Sequence, residues 1–191
     1  MELTIITGRR DSGKTSWCVN SLIDGSFDGI LMPKVFVSGE FQGFDARRIS
    51  TGQSVPLLRF GPRESFLREP HAPGPSAEKP PARSAEQRIG RFSICRPGLE
   101  KTRAWIEEAV AGPSVRLLID EVGRLELRGG GFAEQLSATF ECGGDRGVYL
   151  VVRRDFVEDV MRKFRISRAS LVEVEGGRLL SRSTLVCPPA G

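Results

Sequence analysis

Residues 8–15 read GRRDSGKT, and Gly8, Gly13, Lys14 and Thr15 fill every fixed position of the template G-x-x-x-x-G-K-S/T. The template belongs to a loop that cradles phosphate, and it works only between a strand and a helix. Residues 3–7, LTIIT, are apolar and β-branched, which predicts a buried strand. Over 16–23, Cys18, Val19, Leu22 and Ile23 recur at helical spacing. The flanks are therefore the required ones, and they argue against an ordinary Gly-rich turn ahead of a helix.

The chemistry accounts for the residue types. Gly8 and Gly13 permit a tight turn and bring backbone N–H groups against phosphate oxygens, where a Cβ would obstruct the approach. A helix opening at Gly13 adds the positive end of its dipole. The candidate binding set runs from Gly8 through Arg9, Arg10, Asp11, Ser12, Gly13, Lys14 and Thr15 to Ser16. Lys14 is placed to reach the β- and γ-phosphates and to serve catalysis there, and the Thr15 hydroxyl to ligate Mg2+.

A second constellation lies over a hundred residues downstream. Residues 117–121, LLIDE, form an apolar run that delivers two acids at its carboxyl end, where open α/β sheets place ligands. Asp120 is the candidate Mg2+ partner and Glu121 the candidate for orienting or deprotonating an attacking water. On an extended strand the two adjacent side chains point to opposite sides, so they would not share one role. Arg153 and Arg154 end the next apolar run, 148–152, and so face the same crevice. One of them is a candidate for contacting the γ-phosphate, and a solvated pair at a strand end is the alternative.

Between these landmarks, 29–37 (GILMPKVFV) is apolar but broken by Pro33, which suggests an edge strand or an irregular start. Residues 41–60 read as a hairpin around the turn 50–53, inserted on the core. Residues 99–111 form an amphipathic helix closed by Gly112-Pro113, and 132–140 another with Phe132, Leu136 and Phe140 on one face. Asp155 and Glu158 read as a capping pair for a helix over 156–164, and Gly176-Gly177 as the turn of a hairpin. Strands and helices alternate, so the fold class is α/β, a mainly parallel sheet flanked by helices. Trp17 and Trp105 read as core packing in preference to base-stacking platforms.

Residues 61–88 differ in character: six prolines stand among Ser, Ala, Glu and Arg, and only Phe66 and Leu67 are large and apolar. Such a stretch buries too little to offset its ordering, which predicts a surface loop, with a lid over the nucleotide as the functional alternative. Residues 188–191 read as a frayed tail. At 191 residues and 39% hydrophobic, the chain is expected to form one domain over 1–191.

His71, the single histidine, falls in the Pro-rich stretch, which leaves histidine-dependent mechanisms without a candidate. Cys18, Cys95, Cys142 and Cys187 lack zinc-site spacing and read as buried, reduced thiols. No stretch approaches the ~20 apolar residues of a membrane span, so no membrane association and a cytoplasmic location are expected. The formal charge of +4 suits an anionic ligand. The arginines are scattered without a basic stripe, so nucleic acid is not an expected partner.

The octet Asp120-Glu121-Val122-Gly123-Arg124-Leu125-Glu126-Leu127, together with the loop GRRDSGKT and Gly43-Phe44-Asp45, resembles the THEP1-type nucleoside-triphosphatases, small P-loop proteins related to the RecA-like ATPase core. Arg88-Ile89-Gly90-Arg91-Phe92 is similar to a short strand of that family. The resemblance implies Mg2+-dependent hydrolysis of nucleoside triphosphates to diphosphate and phosphate with little preference for the base. The sequence departs from the family at Val37 to Gln42, where a basic stretch is usual, and in its longer Pro-rich insertion. Two other readings share the same loop. A nucleotide or small-molecule kinase would need an acceptor, with Arg63, Arg68 or Arg83 as lid residues; a slow nucleotide-gated protein would assist cofactor or metal-transport machinery.

Overall fold

In the central strands, successive apolar side chains serve two different cores. Ile5, Ile119 and Leu150 point to one face of the sheet, and their neighbours Ile6, Leu118 and Val151 to the other. The computed structural model describes residues 1–60 and 88–187. Along the chain run β1 (Glu2–Gly8), α1 (Lys14–Ser21), β2 (Phe27–Leu31), β3 (Lys34–Val37), β4 (Glu40–Arg48), β5 (Ser54–Phe60), β6 (Arg88–Ile89) and β7 (Phe92–Ile94). Then follow α2 (Arg96–Ala111), β8 (Arg116–Val122), α3 (Arg124–Leu127), α4 (Ala133–Cys142), β9 (Gly147–Arg153), α5 (Val157–Lys163), β10 (Arg168–Glu175) and β11 (Arg178–Val186). The surface loop or lid expected over 61–88 lies outside the described residues except for Arg88, and so do His71 and the tail 188–191.

The sheet runs in the order β11-β10-β1-β9-β8-β2-β4-β5-β7-β6, with β3 paired to β4. Its centre, β10-β1-β9-β8-β2, is parallel throughout. The fold is thus α/β with a mainly parallel core. Strand β9 separates the loop strand β1 from the acid strand β8, and all three carboxyl ends open on one edge. Trp17 and Cys18 of α1 pack on one face, and Trp105 and Ile106 of α2, Leu136 of α4, and Val160 and Met161 of α5 on the other. Both tryptophans are core residues; burying a side chain of this kind stabilises by roughly 1.5–3 kcal/mol.

The edge strand expected around Pro33 is β3: Pro33 divides the fully buried β2, inside the sheet, from the exposed β3, which among the described residues pairs with β4 alone, because a residue without an N–H cannot continue the ladder. Other expectations need correction. The hairpin β4–β5 is no appendage on the core. Its first strand pairs with β2 at Ile30↔Arg48 and Leu31↔Arg47, so the antiparallel wing continues the sheet in its own plane. Arg48 also closes this junction by donating to the buried Asp28, Nη2 to Oδ2 at 3.0 Å. Burial alone would raise the Asp28 carboxyl, but Arg48 and the Gly29 and Ser50 amides hold it below its usual range.

Residues 88–92 make two short strands around Gly90-Arg91, not one. Helix α2 starts at Arg96, three residues earlier than expected, because Pro97 has a suitable φ for the first turn and an N–H there would be unused. Asp155 does not cap α5. It accepts from Arg153 Nη2 at 2.9 Å inside a single 3-10 turn, Arg154–Phe156, and the helix begins at Val157 without a side-chain cap. All four thiols are free, but only Cys18 is buried; Cys95 and Cys187 are half-buried and Cys142 is exposed.

Candidate functional site

The loop leaves β1 and turns through two left-handed residues, Asp11 at φ 60° and Gly13 at φ 82°. A Cβ on Gly13 would stand 2.7 Å from the Gly177 nitrogen, and one on Gly8 2.3 Å from the Val174 carbonyl oxygen. The C-terminal hairpin therefore braces the loop, and Gly177 N–H donates to the Ser12 carbonyl at 2.8 Å. Gly13→Ala must push that hairpin away as well as hold a left-handed φ. It should lower stability by about 1–3 kcal/mol, read as a lower melting temperature, and loosen any phosphate held by the loop.

Lys14 is 7% exposed, and its ammonium donates to the Arg9 carbonyl at 2.8 Å and the Gly8 carbonyl at 3.5 Å. Its charge is thus held across the loop's concavity. Ser12 is buried, whereas Arg9, Arg10, Asp11 and Ser16 are exposed at the rim.

The acid strand meets the loop beneath this cradle. Thr15 Oγ1 donates to Asp120 Oδ2 at 2.8 Å, and the Met32 amide donates to the same oxygen at 3.0 Å. Asp120 is wholly buried, and its Oδ1 has no hydrogen-bond partner among the described residues. Burial pushes its carboxyl above the usual range, opposed by the Met32 amide, the Thr15 hydroxyl and the Lys14 charge. A buried carboxylate oxygen left free beside a hydroxyl suits a hard cation that takes its remaining ligands from phosphate and water. Among the described residues no three His, Cys, Asp or Glu cluster as a metal-holding set, so a protein-only cage is not present there. The donor set fits Mg2+ arriving with a phosphate ligand.

Glu121 departs from the extended geometry expected of it. Its φ is 62°, and the β8–β9 register shifts between Ile119 and Val122. The two acids do part, but through a left-handed residue at a bulge, a conformation that costs a non-glycine residue of order 1 kcal/mol or more. The Glu121 carboxylate opens to solvent within the crevice, yet the surrounding walls and the Asp120 charge push it up, to about 7.

The two arginines separate. Arg153 faces the crevice, its guanidinium 4.5 Å from the Phe156 ring centroid, and its Nε is buried without a partner among the described residues. Arg154 turns away into an ion pair with Glu173 of β10.

Residues 11–16 and Glu121 line a cavity of about 550 Å3 together with Val19, Asn20, Met32, Pro33, Lys34, Phe36 and Phe44. None of the lining residues outside 11–16 and Glu121 was read as a site residue from the sequence. The Met32 amide reaches Asp120, Lys34 bonds Asp11 at 2.6 Å, and Phe36 supplies an exposed ring. Asp11 is held below its usual range chiefly by that Lys34 bond. The one local signal for them was Pro33, which marks where the chain turns out of β2 toward the crevice. Glu126 is a brace: it accepts from Gly123 N–H at 2.8 Å and Phe132 N–H at 3.2 Å, fixing the turn after the acids.

Residues 3–177 match the model of a protein family described as NTPase. A search of the curated proteins finds no match. Among solved structures, the chain is similar to one described as the solution structure of a human cancer-related nucleoside triphosphatase. The identity is 20% over 92% of this chain and 88% of that one, with a TM-score of 0.59, a likeness that shows the fold.

Proposed function

The chain belongs to this NTPase family, the THEP1-type nucleoside-triphosphatases that its motifs resemble, and we propose that it hydrolyses Mg2+-bound nucleoside 5′-triphosphates to diphosphate and phosphate. The observation that carries this reading is the 2.8 Å bond between Thr15 of the loop and the buried Asp120, with Glu121 opening into the same cavity. The backbone of residues 8–15 and the Lys14 ammonium bind and orient the β- and γ-phosphates. Thr15 and Asp120 are the residues that would hold Mg2+, which when bound neutralises charge on the phosphate oxygens. Glu121 accepts the proton of the attacking water, and Arg153 faces the charge that develops on the transferred group. Arg154, engaged by Glu173, is the weaker of the two arginine candidates. We read residues 1–191 as one catalytic unit.

Little preference among bases is expected, since Val19 and Phe36 offer apolar contact that any base can use. Phosphate release from ATP, GTP, CTP and UTP, each with Mg2+ or with chelator, tests the proposal. All four should release phosphate with Mg2+ and without a second substrate; a strict requirement for an added acceptor would refute hydrolysis. Asp120→Asn should need a higher Mg2+ concentration for half-maximal rate, because a neutral amide replaces the buried carboxylate. An unchanged Mg2+ titration would remove Asp120 from the metal site.

A further inference from the structure

Beyond Lys14 and Glu121 the crevice continues into a second cavity of about 610 Å3, on the side away from Val19 and Asn20. This volume lies within the range of small-molecule sites. Phe41, Phe44 and Phe92 of the antiparallel wing form one wall, in edge-on contact with centroids 5.2 Å (Phe41–Phe44), 5.8 Å (Phe44–Phe92) and 6.1 Å (Phe41–Phe92) apart. All three rings are only half-buried. Phe156 forms part of the lining and carries two guanidiniums, Arg153 at 4.5 Å and Arg124 at 5.6 Å from its centroid.

The charges facing this space are mostly positive. Arg153 is engaged by Asp155 through Nη2, whereas Arg124 and Arg91 are exposed. Of the acids, Asp11 is engaged by Lys34, and Glu126 by the Gly123 and Phe132 amides, leaving Glu121 at the boundary with the first cavity. Phe44 lines both cavities, whereas Phe41 and Phe92 line the second and not the first.

We propose that the second cavity binds a small planar aromatic anion, its ring against Phe41, Phe44 and Phe92 and its acidic group on Arg124. Aromatic edges accept a flat apolar body, and a guanidinium over an aromatic ring retains N–H donors for a carboxylate, sulfonate or phosphate. The ligand would sit beside the end of the crevice that holds Glu121, so it and a triphosphate occupy the protein together. The proposal rests on the nucleotide reading only for that last point.

The test uses 8-anilinonaphthalene-1-sulfonate, a fluorescent aromatic sulfonate, with the full-length protein. Expected is saturable binding of one dye per chain, weakened at least about tenfold by Phe92→Ala and by Arg124→Ala. Leu180→Ser, which removes an exposed apolar side chain on β11, should leave it unchanged. A saturating non-hydrolysable Mg2+-ATP analogue should not displace the dye. Absence of saturable binding, equal affinity in wild type and Arg124→Ala, or competitive displacement by the analogue would each overturn the proposal. A thermal melt establishes that each variant is folded, and the exposed Arg124 keeps the test decisive should Phe92→Ala fail to fold. Failure of the nucleotide reading shows separately, as no analogue binding in a titration without dye.

Discussion

Lys14→Ala should leave a folded protein that binds triphosphate weakly and has lost nearly all turnover. The fold should survive because alanine is the best helix former, and the position opens α1. What disappears is an ammonium held across the loop by the Gly8 and Arg9 carbonyls, already oriented before any ligand arrives. On the proposed reading its charge meets phosphate oxygens inside a cavity, where a fixed cation acts far more strongly than in water. Losing one such preorganised group typically lowers the rate ~10²–10³-fold, and the weakened binding adds to that. Lys14→Arg should not restore activity, since a planar fork cannot take the place of a compact ammonium between those carbonyls. Steady-state phosphate release beside a thermal melt checks this. Wild-type turnover in folded Lys14→Ala would remove the loop from the account.

Glu121→Gln should separate binding from chemistry. The substitution keeps the size and an acceptor oxygen but is a far poorer base, while the cradle and the Thr15–Asp120 pair stay in place. The variant is therefore expected to bind Mg2+-triphosphate about as tightly as wild type and to hydrolyse it at least ~10²-fold more slowly. Titration gives the same residue a second signature. A carboxyl raised to about 7 is a protonated, inactive base below that pH and an ionised, active one above it. Wild-type kcat/KM should accordingly rise with pH through about 7, and the residual activity of Glu121→Gln should lack that rise. A near wild-type rate in the variant would place water activation elsewhere.

The parts legible in the sequence were those written in neighbouring residues. Strand, glycine turn and helix follow one another over residues 3–23, so the loop's context could be judged without tertiary information. The acid strand showed itself because a run buried on both faces has to be apolar until it reaches the crevice. Gly176-Gly177 and the turn 50–53 marked their hairpins for similar local reasons.

What stayed hidden depends on contacts between distant segments. Nothing adjacent to Glu121 reports its left-handed φ, which comes from the register shift against β9. The bracing of Ser12 by Gly177 joins residues 165 positions apart, and the Met32 amide reaches Asp120 across 88. Helix α3 is four residues long, too short for periodicity to show; its one signal was Glu126 three residues after Gly123. Arg153 and Arg154 look alike in sequence, and only the position of Glu173 on β10 divides their roles. The second cavity draws on the antiparallel wing, α2, α3 and the turn after β9, so no single stretch could announce it.

The measurement that bears most directly on the central claim is hydrolysis of Mg2+-ATP in 18O-enriched water, with mass analysis of both products. Attack by water on the γ-phosphorus, with departure of the diphosphate, puts one 18O into inorganic phosphate and none into the diphosphate. That distribution, obtained without any added acceptor and absent in Lys14→Ala, is the predicted result. Label in the diphosphate, or no inorganic phosphate until an acceptor is supplied, would contradict hydrolysis at this site.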